Sequence, residues 1–380
     1  MKKILLGSTA LVAAASLAGT AQAAQGVQLG LGGYYQAAAG LLFSQDDGTG
    51  EPGHNTRDVV FRQDVEIHFK GETKLDNGLT VGARIELEGQ QSDDQIDEVW
   101  AYFKGGWGQI RFGDDDDAYE QLAYLIPSAS QGLFGVDSPH IEFANDRNFA
   151  GHVGNTNQTI FRLSGDATKV IYFSPAFAGF TFAMSYAPDR FGEDQYSGFV
   201  TGNNPGGTSF SNNTNQLQDV FAGALNFTHD FGGFKMISGV GGGFGKWENP
   251  APNQDDMSWL VRGHLQFSFD GFTIGGAALY QDNYRGGAAV PDVNRWVAGI
   301  GGTYNWDQWT VGLAWSHGNY EISSNDDDDK LDIIEATGRY DLAPGIGLEA
   351  MVGYNQYLDD SNNTGNDHTW EAGMGFNIGF

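Results

Sequence analysis

The sequence contains no cysteine among its 380 residues. A disulfide framework and a thiolate metal site are therefore both excluded. Beyond about the first twenty residues there is also no apolar run of roughly eighteen residues, which is the length that a transmembrane helix needs. The remainder of the chain is expected to contain no membrane-spanning helix.

Basic residues are scarce. The chain has 20 Lys and Arg against 48 Asp and Glu, which gives a net charge of −28. Binding to nucleic acid is excluded as a function, because phosphate contacts require a basic surface. A surface this acidic favours cations.

The chain also lacks a linker and a long internal repeat. Its 56 glycines and its aromatic residues, 13% of the total, are spread evenly from end to end. A single domain over residues 24–380 is therefore predicted. A soluble secreted β-propeller or β-sandwich remains an alternative, although no repeat of about 40–50 residues is visible.

The amino-terminal residues have the pattern of a secretory signal peptide. A short basic head (residues 1–3, Met-Lys-Lys) precedes an apolar, small-residue run over residues 4–19 and a small-x-small site at residues 21–23. These features predict a signal peptide over residues 1–23 and a mature chain that begins at Ala24. The alternative is a membrane anchor, for which the run is short.

The carboxy-terminal residues alternate strictly between apolar and polar. The apolar positions of this stretch are Trp370, Met374, Phe376, Ile378 and Phe380. The opposite face carries Glu371 and Asn377. This pattern is typical of a barrel strand whose outer face meets lipid and whose inner face meets water.

The same period of two recurs along the chain and predicts about sixteen strands. Residues 59–70 show it most clearly, with Arg62, Asp64 and Glu66 on the face opposite Phe61 and Val65. Pairs of strands are separated by short turn sequences rich in Gly, Asp and Pro. These turns are predicted at residues 76–78, 178–179, 231–233, 270–271, 306–308 and 343–345.

Short turns alternate with long polar connections. The long ones cover residues 44–56, 114–167, 188–218, 246–256, 282–292, 321–330 and 359–367. This rhythm is typical of an outer-membrane barrel, in which a sheet must close so that every backbone group is paired within lipid. Tryptophans near predicted strand ends suggest two interfacial girdles. They are Trp100, Trp107, Trp306, Trp309 and Trp370.

Three segments resemble a known family. Residues 97–113 (DEVWAYFKGGWGQIRFG) resemble the strand-turn-strand before the third loop of general bacterial porins of Gram-negative outer membranes. Residues 169–186 (KVIYFSPAFAGFTFAMSY) resemble the hairpin that follows this loop, and Phe380 resembles the family's terminal aromatic residue.

The resemblance implies an all-β fold, a transmembrane antiparallel 16-stranded barrel, assembled as a homotrimer in the outer membrane of a Gram-negative bacterium. The third loop, residues 114–167, would fold into the lumen of a water-filled channel for small hydrophilic solutes and ions. Outer-membrane lipids and lipopolysaccharide would surround the barrel. The second loop, near residues 90–93, is too short to act as the latch between subunits that many members have.

The resemblance also implies a basic wall that faces acids on the third loop. Alternation turns Arg62, Arg84 and Arg111 inward, and Arg162 resembles a further wall arginine. Alternatively, these arginines pair with acids of the wall, away from the narrowest point. The candidate acids of the loop are Asp137, Glu142 and Asp146.

Two runs of four acids remain to be explained, residues 114–117 and 326–329. Asp114, Asp115, Asp116 and Asp117 form either a solvated loop or a Ca²⁺ site, since Ca²⁺ takes clustered carboxylates. Neither run has an EF-hand pattern. No other cofactor is expected, and the first run predicts a preference for cations.

The segment over residues 117–126 predicts a short helix with Asp117 as its N-cap. The eight histidines are scattered and no nucleophile motif is present, so an enzyme is not expected. The alternative function is a substrate-selective channel, for example for oligosaccharides. Trp107, Tyr119 and Tyr124 would then line a stacking track.

Overall fold

The structure is a computed structural model that describes residues 26–44, 58–89, 95–130, 132–137, 157–190, 216–248, 250, 255–284, 293–321, 328–359 and 367–380. The predicted signal peptide lies outside these residues. So do Glu142 and Asp146, the second loop near residues 90–93 and the first half of the second acidic run.

The described residues contain sixteen strands and one short helix. The elements are β1 (Gln28–Ser44), β2 (Val59–Lys74), β3 (Thr80–Glu88), β4 (Ile96–Gly105), β5 (Gly108–Asp114), α1 (Ala118–Gln121), β6 (Thr168–Phe173), β7 (Phe180–Asp189), β8 (Leu217–Asp230), β9 (Lys235–Trp247), β10 (Met257–Phe269), β11 (Phe272–Asp282), β12 (Arg295–Trp306), β13 (Trp309–Glu321), β14 (Asp328–Ala343), β15 (Ile346–Asp359) and β16 (Asp367–Gly379).

The strands form one closed antiparallel barrel in which each strand pairs with its neighbours in sequence. β1 and β16 close the ring, with Tyr34 opposite Gly379 in the register. At the edge of this seam, the backbone N–H of Gly33 donates to the carbonyl of Phe380 at 2.9 Å, and the N–H of Phe380 donates back at 3.0 Å. The predicted 16-stranded barrel is confirmed.

The outer face is apolar and exposed, as the alternation predicts. Phe61 is 80% exposed and Met374 is 72% exposed, whereas Glu66 and Gln36 on the inward face are buried. Because successive side chains of a strand point to opposite faces, one sequence supplies both surfaces. Within the described residues, no helix is long and apolar enough to cross a membrane.

The short turns lie where the sequence predicts them. The turn between β6 and β7 places Ala178 at φ 49° and Gly179 at φ 88°. The turn between β10 and β11 repeats this with Asp270 at φ 46° and Gly271 at φ 84°. Gly adopts this left-handed region without strain and Asp tolerates it better than most residues, so the glycine shared by both pairs favours a tight turn.

The girdle prediction is wrong for Trp100. This side chain is 8% exposed and shares the inward face of β4 with Glu98 and Tyr102. It stacks under the Arg111 guanidinium, 4.1 Å from the ring centroid. The other four tryptophans of that prediction, Trp107, Trp306, Trp309 and Trp370, are exposed.

Candidate functional site

The third loop joins β5 to β6, and its described parts pack against the inward-facing side of the wall. The backbone N–H of Ala118 donates to Ser185 Oγ on β7 at 3.1 Å. The Gln266 amide of β10 donates to the carbonyl of Leu125 at 2.5 Å. Farther along the loop, the Ala129 N–H donates to Thr337 Oγ1 on β14 at 3.0 Å. The loop therefore follows the inner wall from β7 to β14.

Glycines on the inner wall give the loop room to approach. A Cβ on Gly301 of β12 would lie 2.6 Å from the carbonyl oxygen of Pro127. A Cβ on Gly243 of β9 would lie 2.8 Å from Leu163. The glycine-rich stretch of β9 thus serves as a docking surface for the returning part of the loop.

The predicted helix is shorter than expected. α1 begins at Ala118 and ends at Gln121, and Asp117 takes the N-cap position without a capping side-chain bond. Its carboxylate instead accepts from the backbone N–H groups of Leu163 and Ser164, both at 3.1 Å, and from the Ser164 hydroxyl. Bonds to the returning part of the loop therefore replace the local cap.

The first acidic run is buried, so the interpretation as a solvated loop is wrong for these four residues. Their exposures lie between 1% and 6%. Asp114 accepts from the Thr168 hydroxyl. Asp115 accepts from Arg111 Nη1 at 2.9 Å. Burial raises the pKa of Asp115 to about 6, against the opposing effect of the Arg111 guanidinium.

The predicted wall arginines on β2, β3 and β5 lie on the inner side. Arg62 is half-buried there, opposite Ala38 in the register. The Arg84 guanidinium forms an ion pair with Glu86 and approaches His68 Nδ1 at 3.0 Å. Arg111 is held between Asp115 and the ring of Trp100.

Arg162 lies in the third loop rather than on a strand. It contacts Asp166 at 2.7 Å, and Asp116 and Glu120 at 3.4 Å each. Burial raises the pKa of Asp166 to about 8 and that of Glu120 to about 7. The acids around Arg162 thus outnumber the single guanidinium that they share.

Asp137 joins the two arms of the loop. Its carboxylate accepts from the Thr159 N–H and hydroxyl, both at 2.6 Å, and from the Ile126 N–H at 3.1 Å. The side chain is 3% exposed, and burial raises its pKa. Its role as an acid of the pore lining stays a prediction, and its carboxylate is turned into the loop. Glu142 and Asp146 lie outside the described residues.

Three inward-facing arginines were not predicted from the sequence. Arg262 Nε donates to the Thr159 carbonyl at 2.6 Å, and its Nη2 donates to the Tyr124 carbonyl at 2.7 Å. Arg295 lies 3.3 Å from the centroid of the Phe161 ring. Arg339 pairs with Glu349. Strand alternation was the signal that could have found them, because each lies on an inward-facing position of its strand.

Carboxylates meet in three groups that are close enough to share a cation. In each group the ligand atoms lie within 4.8 Å of one another. The groups are Glu66 with His68 and Glu86, Glu66 with Glu88 and Asp97, and Glu98 with Asp116 and Asp166. In the first group His68 Nε2 already contacts both glutamates, at 2.7 and 3.1 Å. Only Asp116 of the acidic run belongs to such a group among the described residues.

The barrel is similar to solved outer-membrane proteins. An anion-selective porin from Comamonas acidovorans matches with a TM-score of 0.57 and 14% identity, over 93% of this chain and all of that one. The trimer form of OmpT, an outer membrane protein of Vibrio cholerae, matches with a TM-score of 0.60 and 13% identity, over 94% of this chain and all of that one. The outer membrane channel DcaP of Acinetobacter baumannii also has a TM-score of 0.60 and 13% identity, over 93% of this chain and 98% of that one.

Direct comparison with curated protein sequences finds no significant match. A sequence model of the Gram-negative porin family, in contrast, matches residues 7–379. This match covers nearly the whole chain, and the similar structures share its closed barrel. The chain therefore belongs to the Gram-negative porin family and is a channel-forming barrel of the bacterial outer membrane.

Proposed function

We propose that the protein is a passive diffusion channel for small hydrophilic solutes and ions, with a preference for cations. The pairing of arginines on the wall and in the third loop with carboxylates carries this proposal. Arg84 pairs with Glu86, Arg111 with Asp115, and Arg162 with three acids. Their positive charge is compensated locally, so the excess acids dominate the potential in the lumen.

The sign of this selectivity is independent of the fold. The similar porin from Comamonas acidovorans is anion-selective, and it shares the architecture at 14% identity. Selectivity in such pores depends on which charges line the passage. The net charge of −28 and the paired arginines therefore support the opposite preference for this chain.

Reversal potentials across planar bilayers in a KCl gradient test the preference. The reversal potential is expected to have the sign that K⁺ diffusion down its concentration gradient produces. Glu66→Gln removes a lumen carboxylate and should reduce the potential, whereas Asp307→Asn in the exposed turn between β12 and β13 should leave it unchanged. A reversal potential of the opposite sign for the wild-type channel would refute the proposal.

The third loop is proposed to narrow this passage. Its described parts cross the inner wall and are held there by bonds to Ser185, Gln266 and Thr337. A segment held at so many points limits the width of the lumen and stays in place when solutes pass. The channel is therefore expected to conduct without gating by this loop.

We also propose a homotrimer that is embedded in outer-membrane lipids and lipopolysaccharide. One similar structure is a trimer form. On the outer wall, Phe61 and Met374 flank a groove of about 550 Å³ above the small residues Ala37 and Ala39 of β1. Side chains of a second copy would fill this groove.

Single-channel recordings test the trimer, since three barrels inserted together should close in three equal steps. Phe61→Ser should lower the trimer fraction in native gels and crosslinking. Phe177→Ser is the matched control, because Phe177 is equally exposed, at 80%, but lies in the turn between β6 and β7. Wild-type channels that insert and close singly would contradict the trimer.

The alternative, an oligosaccharide-selective channel, gains no support from the aromatic residues that it requires. Trp107 stacks on Tyr172 at the turn between β4 and β5. Tyr119 is 1% exposed and its hydroxyl donates to the Phe161 carbonyl. Added oligosaccharide should accordingly cause no solute-specific block of the current at low concentration.

A further inference from the structure

Glu98, Asp116 and Asp166 meet at the foot of the third loop. Glu98 belongs to the inward face of β4, Asp116 to the outgoing arm of the loop and Asp166 to the returning arm. One oxygen of each lies within 4.8 Å of the others. We propose that these three carboxylates bind one divalent cation of the Ca²⁺ type, which fixes both arms of the loop to the wall.

Each of the three side chains has a buried oxygen that accepts no hydrogen bond. Glu98 Oε1, Asp116 Oδ1 and Asp166 Oδ1 are buried and have no hydrogen-bond donor. Glu98 is 4% exposed and Asp116 is 2% exposed. Buried carboxylate oxygens without a partner are costly, so their convergence from three separate parts of the chain favours the binding of a cation.

The charge at this point is not balanced by the protein. Arg162 reaches Asp166 Oδ2 at 2.7 Å and Asp116 Oδ1 at 3.4 Å. Within the described part of the chain, no ion pair reaches Glu98. Lys169 is also close, but its ammonium donates to the carbonyls of Asp115 and Gly165. When all three carboxylates are ionised, a single guanidinium faces them and the site is negative.

The ligand atoms select the kind of cation. All three are carboxylate oxygens, which favour hard ions such as Ca²⁺ over ions that prefer nitrogen or sulfur. Ca²⁺ accepts irregular geometry and completes its shell with water, whereas Mg²⁺ requires a near-ideal octahedron. A cluster of only three carboxylates therefore suits Ca²⁺ better than Mg²⁺.

The proposed site differs from the run that the sequence suggested. The carboxylates of Asp114, Asp115 and Asp117 are engaged by Thr168, Arg111 and Ser164. Asp116 alone contributes from the run, together with two residues far away in sequence. The site does not depend on the proposed ion preference of the channel, because it concerns how the loop is held.

Equilibrium dialysis and thermal unfolding test the site. Full-length mature chain, refolded in detergent without lipopolysaccharide and treated with a chelator, is titrated with Ca²⁺ and, in parallel, with Mg²⁺. The wild type should bind one Ca²⁺ and unfold at a higher temperature when it is bound. Glu98→Gln and Asp166→Asn should each weaken Ca²⁺ binding by at least about tenfold.

The response in chelator separates a ligand from a purely structural residue. Without Ca²⁺, both variants should be at least as stable as the wild type, because an amide avoids the cost of burying a carboxylate beside two other acids. Glu335→Gln is the matched control, since Glu335 is a buried inward-facing acid on β14 with an unbonded oxygen. It should retain wild-type Ca²⁺ affinity.

Two results would overturn the site. One is a wild type that neither binds nor is stabilised by Ca²⁺ at millimolar concentration. The other is an affinity that Glu98→Gln and Asp166→Asn leave unchanged, or that Glu335→Gln lowers equally. Both results leave the channel proposal intact, because conductance and reversal potential are measured separately.

Discussion

Asp137 and Thr159 bind each other through two hydrogen bonds, one from the Thr159 backbone N–H and one from its hydroxyl, each 2.6 Å long. They stand 22 positions apart on the outgoing and returning arms of the third loop. The same threonine accepts from Arg262 of β10. This small network therefore ties the two arms to each other and to the barrel wall.

Thr159→Val should loosen the loop without changing its shape. The substitution removes the hydroxyl and leaves the buried Asp137 carboxylate one donor short. We expect the free energy of unfolding to fall by about 1–3 kcal/mol. Single-channel traces should show more frequent brief closures. The control is Thr273→Val on β11. In the described residues, the Thr273 hydroxyl forms a hydrogen bond only with Ser268. This variant should not change the frequency of closures.

Stability in chelator should decrease as the pH rises. The pKa values of Asp166 and Glu120 are about 8 and about 7 in the folded protein, against 3.8 and 4.5 as ordinary values. The folded state therefore binds more protons than the unfolded state between about pH 4 and pH 8, and stability is lost over this interval as the pH increases.

Thermal unfolding in detergent at about pH 5 and about pH 8.5 measures this effect. The wild type should unfold at the higher temperature at the lower pH. Asp166→Asn should reduce the difference between the two temperatures, and Asp307→Asn in an exposed turn should not. A transition temperature that rises over this interval would contradict the prediction.

Lys169→Met should destabilise the foot of the third loop. The buried Lys169 ammonium donates to the carbonyls of Asp115 and Gly165, which belong to the two arms. Methionine keeps the volume but leaves these carbonyls without their donor, at a cost of about 1–3 kcal/mol. Lys235→Met, in an exposed position next to the turn between β8 and β9, is the control. Equal unfolding temperatures for the two variants would show that the buried ammonium stabilises nothing.

Gly301→Ala should displace the loop from the wall. The new methyl group would lie 2.6 Å from the carbonyl oxygen of Pro127, so the loop backbone must move. We expect a loss of about 1–3 kcal/mol and an altered conductance. Gly302→Ala is the matched control on the same strand, because its methyl group would point outward and meet only ordinary contacts at 3.6 Å. Identical conductance in the two variants would argue against docking at Gly301.

Local patterns were sufficient for the strands and turns. Alternation in residues 59–70 and the Asp270-Gly271 pair depend on neighbours in sequence, and both were predicted correctly. Trp100 is the exception. A tryptophan near a predicted strand end suggests a side chain at the membrane interface. Trp100 instead alternates in phase with Glu98 and Tyr102, so it lies on the inward face of β4.

The contacts of the third loop could not be predicted in the same way. Asp117 binds Ser164 across 47 positions, and Asn157 reaches the Leu331 carbonyl across 174. No sequence periodicity predicts such contacts, because they depend on how the loop packs against the closed barrel. Hence the sequence marked the acidic run as unusual, but it did not indicate that Asp116 joins Glu98 and Asp166.

The amide of Asn377 donates to Gln36 Oε1 over a separation of 341 positions, at the seam where the last strand meets the first. The barrel can therefore close only when β16, the last strand of the described chain, has formed and pairs with β1. Before this pairing, the open sheet has two unpaired strand edges and an apolar outer face that are exposed to water. We therefore expect the unfolded chain to aggregate in water unless detergent or lipid covers these edges and this surface.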